Sequence, residues 1–332
     1  MLSLFPEIEQ HGINFIDIGC SGQLDAKWKT LFNVLSYVGF DPNEKECQRL
    51  SLLPSPYKQT RYMPYAIGDD VGEAVMYLTE SPYCYSLLRP RHEWLRRFSY
   101  HNLFNEIGES RVNCVTLDYL AENKGLRADM MKLDTQGLEL PILQTATQVL
   151  QDVFCVETEA GFVENYVGET VAAQVDEFMR QKGFLLFDIT IHRVGRANRF
   201  AQQSHQQPLW CESLWMRDYL ALDSWGIAVP PPSRVQALKA LYICKALGFP
   251  DYGFELAEHF YSQGLLSDKE RASLSNDRIW VSGTEQITDL VGQLFRLLPG
   301  RLRRILYRSL RNTINRPHLL KGLRGKFRKL RR

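Results

Sequence analysis

Short apolar runs alternate with amphipathic stretches over the first two-thirds of the chain. The runs predict strands over 14–18, 36–40, 62–67, 130–133, 153–157, 185–191 and 210–216. Between the fourth and fifth runs, LELPILQTATQVL carries apolar residues at helical spacing. Pro141 falls in its first turn, where a missing N–H costs little. Between the fifth and sixth, TVAAQVDEFMRQKGF is amphipathic and ends at Gly183, a residue suited to closing a helix. This alternation predicts βα units and a doubly wound sheet over residues 1–217. Residues 71–117 are less regular: AVMYLTESPYCYSLL reads as a short strand and a loop, and 111–116 as another strand. Pro230-Pro231-Pro232 breaks the pattern. The expected division is a domain over 1–217, a linker over 218–232, a helical extension over 233–290 and a basic amphipathic tail over 291–332.

Composition adds little to this picture, with one exception. With 332 residues, 45% hydrophobic and 23% charged, the chain is ordinary for a globular protein. Seven scattered cysteines, none in a CxxC pair, argue against a disulfide framework or a zinc site and for a reducing compartment. The opening MLSLFPEIEQ does not read as a signal peptide, and no run of about 18 apolar residues is present. The expected location is the cytoplasm. The exception is charge: residues 296–332 hold 14 Lys plus Arg and no acid. That leaves 26 of the 40 basic residues against 38 acidic ones, a formal −12, before the tail.

The candidate chemistry begins at Asn14, with NFIDIGCSGQLDAKWKTLFNVLSYVGFD. An apolar run meets the glycine turn Gly19-Cys20-Ser21-Gly22, a helix-like stretch follows, and a second run ends in Asp41. Gly19 and Gly22 let the backbone approach a ligand closely. A dinucleotide site favours GxGxxG, with a pyrophosphate on the helix N-terminus. Here Asp17 replaces the first glycine, which is poor for a phosphate and suitable for an amino-acid ammonium group. Asp41 stands where a carboxylate accepts both ribose hydroxyls. Together they point to S-adenosylmethionine; the plainer reading is that both acids cap helices. The third strand ends Ala66-Ile67-Gly68-Asp69, placing Ile67 and Asp69 beside the purine, unless Gly-Asp-Asp is a simple turn.

The fourth and fifth strands end in MMKLDTQGLELPIL and VFCVETEAGF. Asp134 and Glu157 would then face the reacting centre from neighbouring strand ends. Methyl transfer from a sulfonium needs alignment, and for a hydroxyl acceptor a base. Asp134, Glu157 and His192 are the candidates. Asp134 as a helix cap and His192 as a packing residue are the plainer readings. A divalent metal on Asp134, Glu157 and Glu159 is conceivable by ligand type, though no ligand spacing enforces it, and the expectation is no metal.

These stretches resemble the FkbM family of S-adenosylmethionine-dependent methyltransferases. The resemblance rests on Phe15-Ile16-Asp17-Ile18-Gly19 with Gly22, on Val38-Gly39-Phe40-Asp41-Pro42 and on Val115-Thr116-Leu117-Asp118. It rests further on Lys132-Leu133-Asp134-Thr135-Gln136-Gly137-Leu138-Glu139, Phe162-Val163-Glu164-Asn165-Tyr166 and Gly183-Phe184-Leu185-Leu186. The KxDxQGxE segment is the most specific part, and the match spans roughly residues 12–217. It implies an α/β class I methyltransferase (Rossmann-like) fold, a seven-stranded mostly parallel sheet with helices on both faces, here followed by a C-terminal helical extension. It also implies O-methylation of a sugar hydroxyl in a bacterial glycan or glycosylated metabolite, so a saccharide or glycolipid substrate. The turn from Gly19 to Gly22 is one residue shorter than the family often has.

In the tail, Leu302, Ile305, Leu306 and Leu310 share one face of a helical pattern, opposite Arg304, Arg308 and Arg311. Such a segment suits an anionic membrane surface through 301–332, at the inner face of the membrane; the plainer reading, of equal weight, is a solvated or partly disordered tail or one packed on the acidic body. With only Tyr307 and Phe327 as aromatics, the tail suits nucleic acid less well. An RNA methyltransferase anchored by the tail and a non-catalytic cofactor-binding scaffold stand as alternatives.

Overall fold

The computed structural model of the chain describes residues 1–20, 24–220, 226, 227 and 229–280. The described residues hold ten strands: β1 (Ile13–Ile18), β2 (Leu35–Phe40), β3 (Gln59–Met63), β4 (Ala66–Ile67), β5 (Gly72–Thr79), β6 (Glu106–Val115), β7 (Met130–Leu133), β8 (Cys155–Gly161), β9 (Phe184–Val194) and β10 (Gln207–Arg217). Seven of them form one sheet in the order β3-β2-β1-β7-β8-β10-β9. All neighbours are parallel except β10, which runs antiparallel to both β8 and β9. This is the expected α/β architecture, and its order reverses between β1 and β7. In an open parallel sheet that is where a crevice forms beyond the strand ends.

The alternation within β1 decides what each face of the sheet meets. Ile16 and Ile18 join Leu117, Leu120, Ile142 and Leu143 of the helices Leu117–Lys124 and Glu139–Thr145 in one core. Phe15 points the other way, edge-on to Trp28 at 5.1 Å. Trp28 lies in the 3₁₀ helix Ala26–Val34, the form taken by the helix-like stretch after the glycine turn. The helix Arg234–Leu247 also packs on this side, with the Lys239 ammonium 2.7 Å from Asp129, both buried. Thr30 donates to the carbonyl of Ala246, and Arg234 pairs with Glu7. The three helices Arg234–Leu247, Pro250–Ser262 and Asp268–Leu274 thus belong to one compact unit, Met1–Ser275. A second unit starts at Asn276, with the short helix Asp277–Trp280. The tail from 291 lies outside the described residues.

The third predicted strand is split. Pro64 cannot donate to a ladder, so β3 ends at Met63 and the chain turns. Ala66–Ile67 then joins a separate three-stranded sheet in the order β4-β6-β5. Pairing of β5 with β6 runs from Gly72↔Cys114 to Thr79↔Glu106, with one register shift at Leu78/Thr79. The less regular region is therefore an inserted mixed sheet, with β4 parallel and β5 antiparallel to β6. It is stitched to the loop after β8: Arg91 N–H donates to Asn165 and Val167 N–H to Arg89.

Candidate active site

A cleft of about 1240 Å³ opens at the carboxyl ends of β1, β2, β7 and β8 and is walled by the inserted sheet. That volume holds a nucleoside-sized cofactor together with an acceptor. Gly19 forms its inner turn. The Gly19 and Cys20 N–H groups both reach the Phe40 carbonyl at 3.0 Å. At φ +83° a side chain is strained, and a Cβ there would lie 2.1 Å from the Asp134 carbonyl oxygen. Gly22 lies outside the described residues. Asp41 lines the cleft at the end of β2. Its Oδ1 accepts the Asn43 N–H at 2.7 Å, and Asn43 in turn caps the helix Glu44–Ser51. Burial raises the Asp41 carboxyl above its ordinary value.

Ile67 also lines the cleft, but Asp69 does not. Asp69 sits in the exposed bend after β4, displaced because Ala66–Ile67 left the main sheet. Asp17 is likewise absent from the lining. Its position in β1 turns the carboxylate onto the sheet face with Phe15, where it is 4% exposed. There Oδ2 accepts the Tyr37 hydroxyl at 2.8 Å, and Oδ1 lies 3.7 Å from the Lys132 ammonium. Asp17 therefore caps no helix and lies beneath the cleft rather than in its lining; burial pushes its carboxyl upward.

The loop after β7 is built by its own motif. The buried Glu139 carboxylate accepts the Thr135 N–H and hydroxyl, each at 2.9 Å, and the Gly137 N–H at 3.1 Å. Burial raises Glu139 to about 7. Gly137 adopts φ +112° against Glu169 and Leu88. Gln136 is the only non-glycine with positive φ among the described residues, at 57°. Such a conformation costs about 1–3 kcal/mol and persists where surroundings hold it. What holds it is the Ser86 hydroxyl on the Gln136 carbonyl at 2.8 Å and the Tyr166 hydroxyl on its amide oxygen at 2.9 Å. The result is that the Gln136 amide NH₂ donates to Asp134 Oδ1 at 2.8 Å and Glu159 Oε1 at 3.0 Å. Asp134 is thus no helix cap; the helix starts at Glu139.

Asp134 and Glu159 both line the cleft, and Glu157 does not. Glu157 is 3% exposed and ion-paired with Lys27 of the 3₁₀ helix that covers that face. The candidate placed on Glu157 therefore moves to Glu159. Strand β8 continues to Gly161, four residues past its predicted end, so its tip carries Glu159. Burial first, and then the nearby Asp134 carboxylate, push Glu159 up to about 8. The Lys132 ammonium lies 3.5 Å from Asp134. Burial pulls Lys132 down, but Asp17 and Asp134 more than offset this and hold it charged. His192 stays outside the lining. Its ring stacks on Trp210 at 5.0 Å and 6°, and it meets Glu212 at 3.2 Å. No group of three or more His, Cys, Asp or Glu that could hold a metal occurs among the described residues.

Tyr166, Gln136 and Glu159 are the site residues that reasoning from strand ends missed as actors. The signal for Glu159 was present: two residues from Glu157, it shares that face of the strand.

A seven-stranded sheet of this order, with its crevice at the β1/β7 reversal, defines the class I methyltransferase fold. The chain belongs to the FkbM methyltransferase family: the FkbM domain model matches residues 20–186, half its length. No curated protein matches it. Among solved structures it is similar to an uncharacterized protein from Listeria monocytogenes serotype 4b, at 9% identity over 83% of this chain and 93% of that one, TM-score 0.31. It is also similar to a SAM-dependent methyltransferase from Anabaena variabilis, at 8% identity over 65% of this chain and 82% of that one, TM-score 0.30.

Proposed function

We propose that the protein uses S-adenosylmethionine to methylate a saccharide hydroxyl, with Glu159 as the base. The carrying observation is the Asp134–Gln136–Glu159 group, two carboxylates bridged by one amide inside the cleft. The donor set fits the cofactor: the cleft is lined by the carboxylates of Asp41, Asp134 and Glu159, and a sulfonium with an ammonium group is cationic. In this reading the Gly19 turn and Asp41 hold the nucleoside, and Tyr65 and Ile67 flank the base. The bound sulfonium supplies the methyl group. Glu159 takes the proton from the acceptor hydroxyl. A carboxylate near pKa 8 is a stronger base than an ordinary one, which suits that task. Burial and then the like charge of Asp134 keep it there, and Gln136 fixes the distance between the two. Tyr100 and Trp210, rings 6.0 Å apart, wall the acceptor side. Their apolar faces and polar edges suit the C–H faces and hydroxyls of a sugar.

The test is transfer of a labelled methyl group from S-adenosylmethionine to cell-envelope glycan and to total RNA, with cofactor binding followed by calorimetry. Label in glycan, lost in Glu159→Gln while cofactor still binds, supports the reading. Label in RNA alone would sink it, and so would absence of cofactor binding. No helix among the described residues is long and apolar enough to cross a membrane. For the tail we propose an anionic membrane surface, where each basic residue contributes on the order of 1 kcal/mol. Failure of the full chain to bind anionic vesicles at low salt removes that part.

A further inference from the structure

Two segments about 100 residues apart come together beside the acceptor end of the cleft, and both are basic. Residues 94–105 include Arg96 and Arg97 and no acid. Residues 189–211 include Arg193, Arg196 and Arg199 and no acid. A bridge between Phe98 and Arg196 joins them. So do hydrogen bonds from Ser99 N–H to the Gly195 carbonyl and from Ala197 N–H to the Arg97 carbonyl.

No carboxylate pairs with any of these five arginines among the described residues. Arg96 and Arg193 donate to the backbone carbonyls of His92 and Gln206. Arg196 donates to the Gln207 amide, while its other terminal nitrogen is buried without a partner. The guanidinium of Arg97 lies 4.7 Å from the Trp94 ring, and that of Arg196 4.5 Å from Phe98 and 5.8 Å from Trp94. By contrast, Arg89 and Arg91 next to this surface are already paired, with Glu106 and Glu164. The guanidinium groups of Arg97 and Arg196 share the Trp94 ring, and neither has a counter-charge beside it. Such an arrangement is suited to a multiply charged anion.

The surface is connected to the cleft by rings. Trp94 meets Phe98 at 5.1 Å, Phe98 meets Tyr100 at 6.2 Å, and Tyr100 meets Trp210 at 6.0 Å. Tyr100 and Trp210 line the cleft. We infer that the acceptor is a phosphorylated saccharide. Its phosphate or diphosphate sits on Arg97, Arg196 and Arg199, and its sugar lies on Tyr100 and Trp210 toward Glu159. This rests on the reading of the cleft as a methyl-transfer site for sugars. Planar guanidinium groups bind phosphate oxygens in pairs, which fixes the acceptor's orientation as well as its affinity.

The test is calorimetric titration of inorganic pyrophosphate into the full chain at low salt. It compares wild type, Arg97→Gln/Arg199→Gln, and a charge-matched control outside both segments, Lys124→Gln/Arg180→Gln. The expected result is saturable binding that weakens at least tenfold in the first variant and is unchanged in the control. No binding by wild type, or equal loss in both variants, overturns the inference. So does a patch variant that loses only its hold on phosphatidylglycerol vesicles, which would assign the arginines to lipid headgroups. Cofactor titration in the same samples separates the two readings. Pyrophosphate binding without S-adenosylmethionine binding leaves the anion site standing and removes methyl transfer; the reverse removes only the anion site.

Discussion

Glu157 and Glu159 stand two residues apart on one face of β8, yet they belong to different regions. Glu157 lies on the floor of that face, in a line of alternating charge through Asp17, Lys132, Glu157 and Lys27. Every carboxylate there has a cation beside it. Glu159 lies at the mouth, hydrogen-bonded to an uncharged amide, where the charge of Asp134 outweighs that of Lys132. Burial raises both carboxyls, but Lys27 opposes the rise at Glu157 while Asp134 adds to it at Glu159. The difference is that the 3₁₀ helix Ala26–Val34 covers the floor with Lys27 and leaves the mouth open. Buried charge holds a fold together only when paired, while chemistry needs a group whose proton affinity has been left unsatisfied.

Substitutions break this comparison in graded ways. Glu159→Gln has the largest expected effect, a fall in kcat/KM of about 10²–10⁴-fold with cofactor affinity within about threefold, as loss of a general base requires. Steady-state rates and calorimetry on one preparation check it. Gln136→Ala comes next. Without the amide, the two carboxylates lose their shared donor and fixed spacing, and kcat/KM should fall about 10- to 100-fold.

The third test is pH. A base must be deprotonated, so kcat/KM should rise with pH through about 8 and level off above it. In Lys132→Met the nearby cation is gone, and the midpoint should move upward. A profile flat from pH 6 to 9 would contradict the role of Glu159. Stability should run the opposite way. Glu159, Glu139 and Glu169 are raised to about 8, 7 and 7 from an ordinary value of 4.5, mainly by burial. Their protonated forms favour the folded state. That stability is fully present below about pH 4.5 and is lost as pH rises through 7 to 8. Denaturant midpoints of the cofactor-free protein should therefore fall over that range, and less steeply in Glu159→Gln. The smallest effect belongs to Glu157→Gln. Lys27 keeps Glu212 at 3.2 Å and is partly exposed, so the cost should be about 1 kcal/mol, with kcat/KM within about threefold. A rate loss comparable to that of Glu159→Gln would erase the distinction between floor and mouth.

Much of this protein was determined by sequence alone. Apolar runs at period two and helices at period 3.6 specified seven strands and the βα order, because burial of one face repeats locally. The motif from Lys132 to Glu139 carried its loop, since Glu139 bonds to residues only two to four positions away. Asp41 and Gly19 were legible for the same reason: a strand end and a tight turn are short-range events. Tertiary structure decided the rest. Asp17 looked like a ligand-binding acid until Lys132 and Tyr37, from the two flanking strands, claimed it. Glu157 and Glu159 look alike in sequence because both interrupt an apolar run, and the predicted strand stopped at the first of them. Which one faces the cleft depended on a lysine 130 residues earlier. The arginine surface was invisible for the same reason. Its two halves are separated by about 100 residues, and electrostatics depends on distance in space, which only the packed sheet and its insertion set.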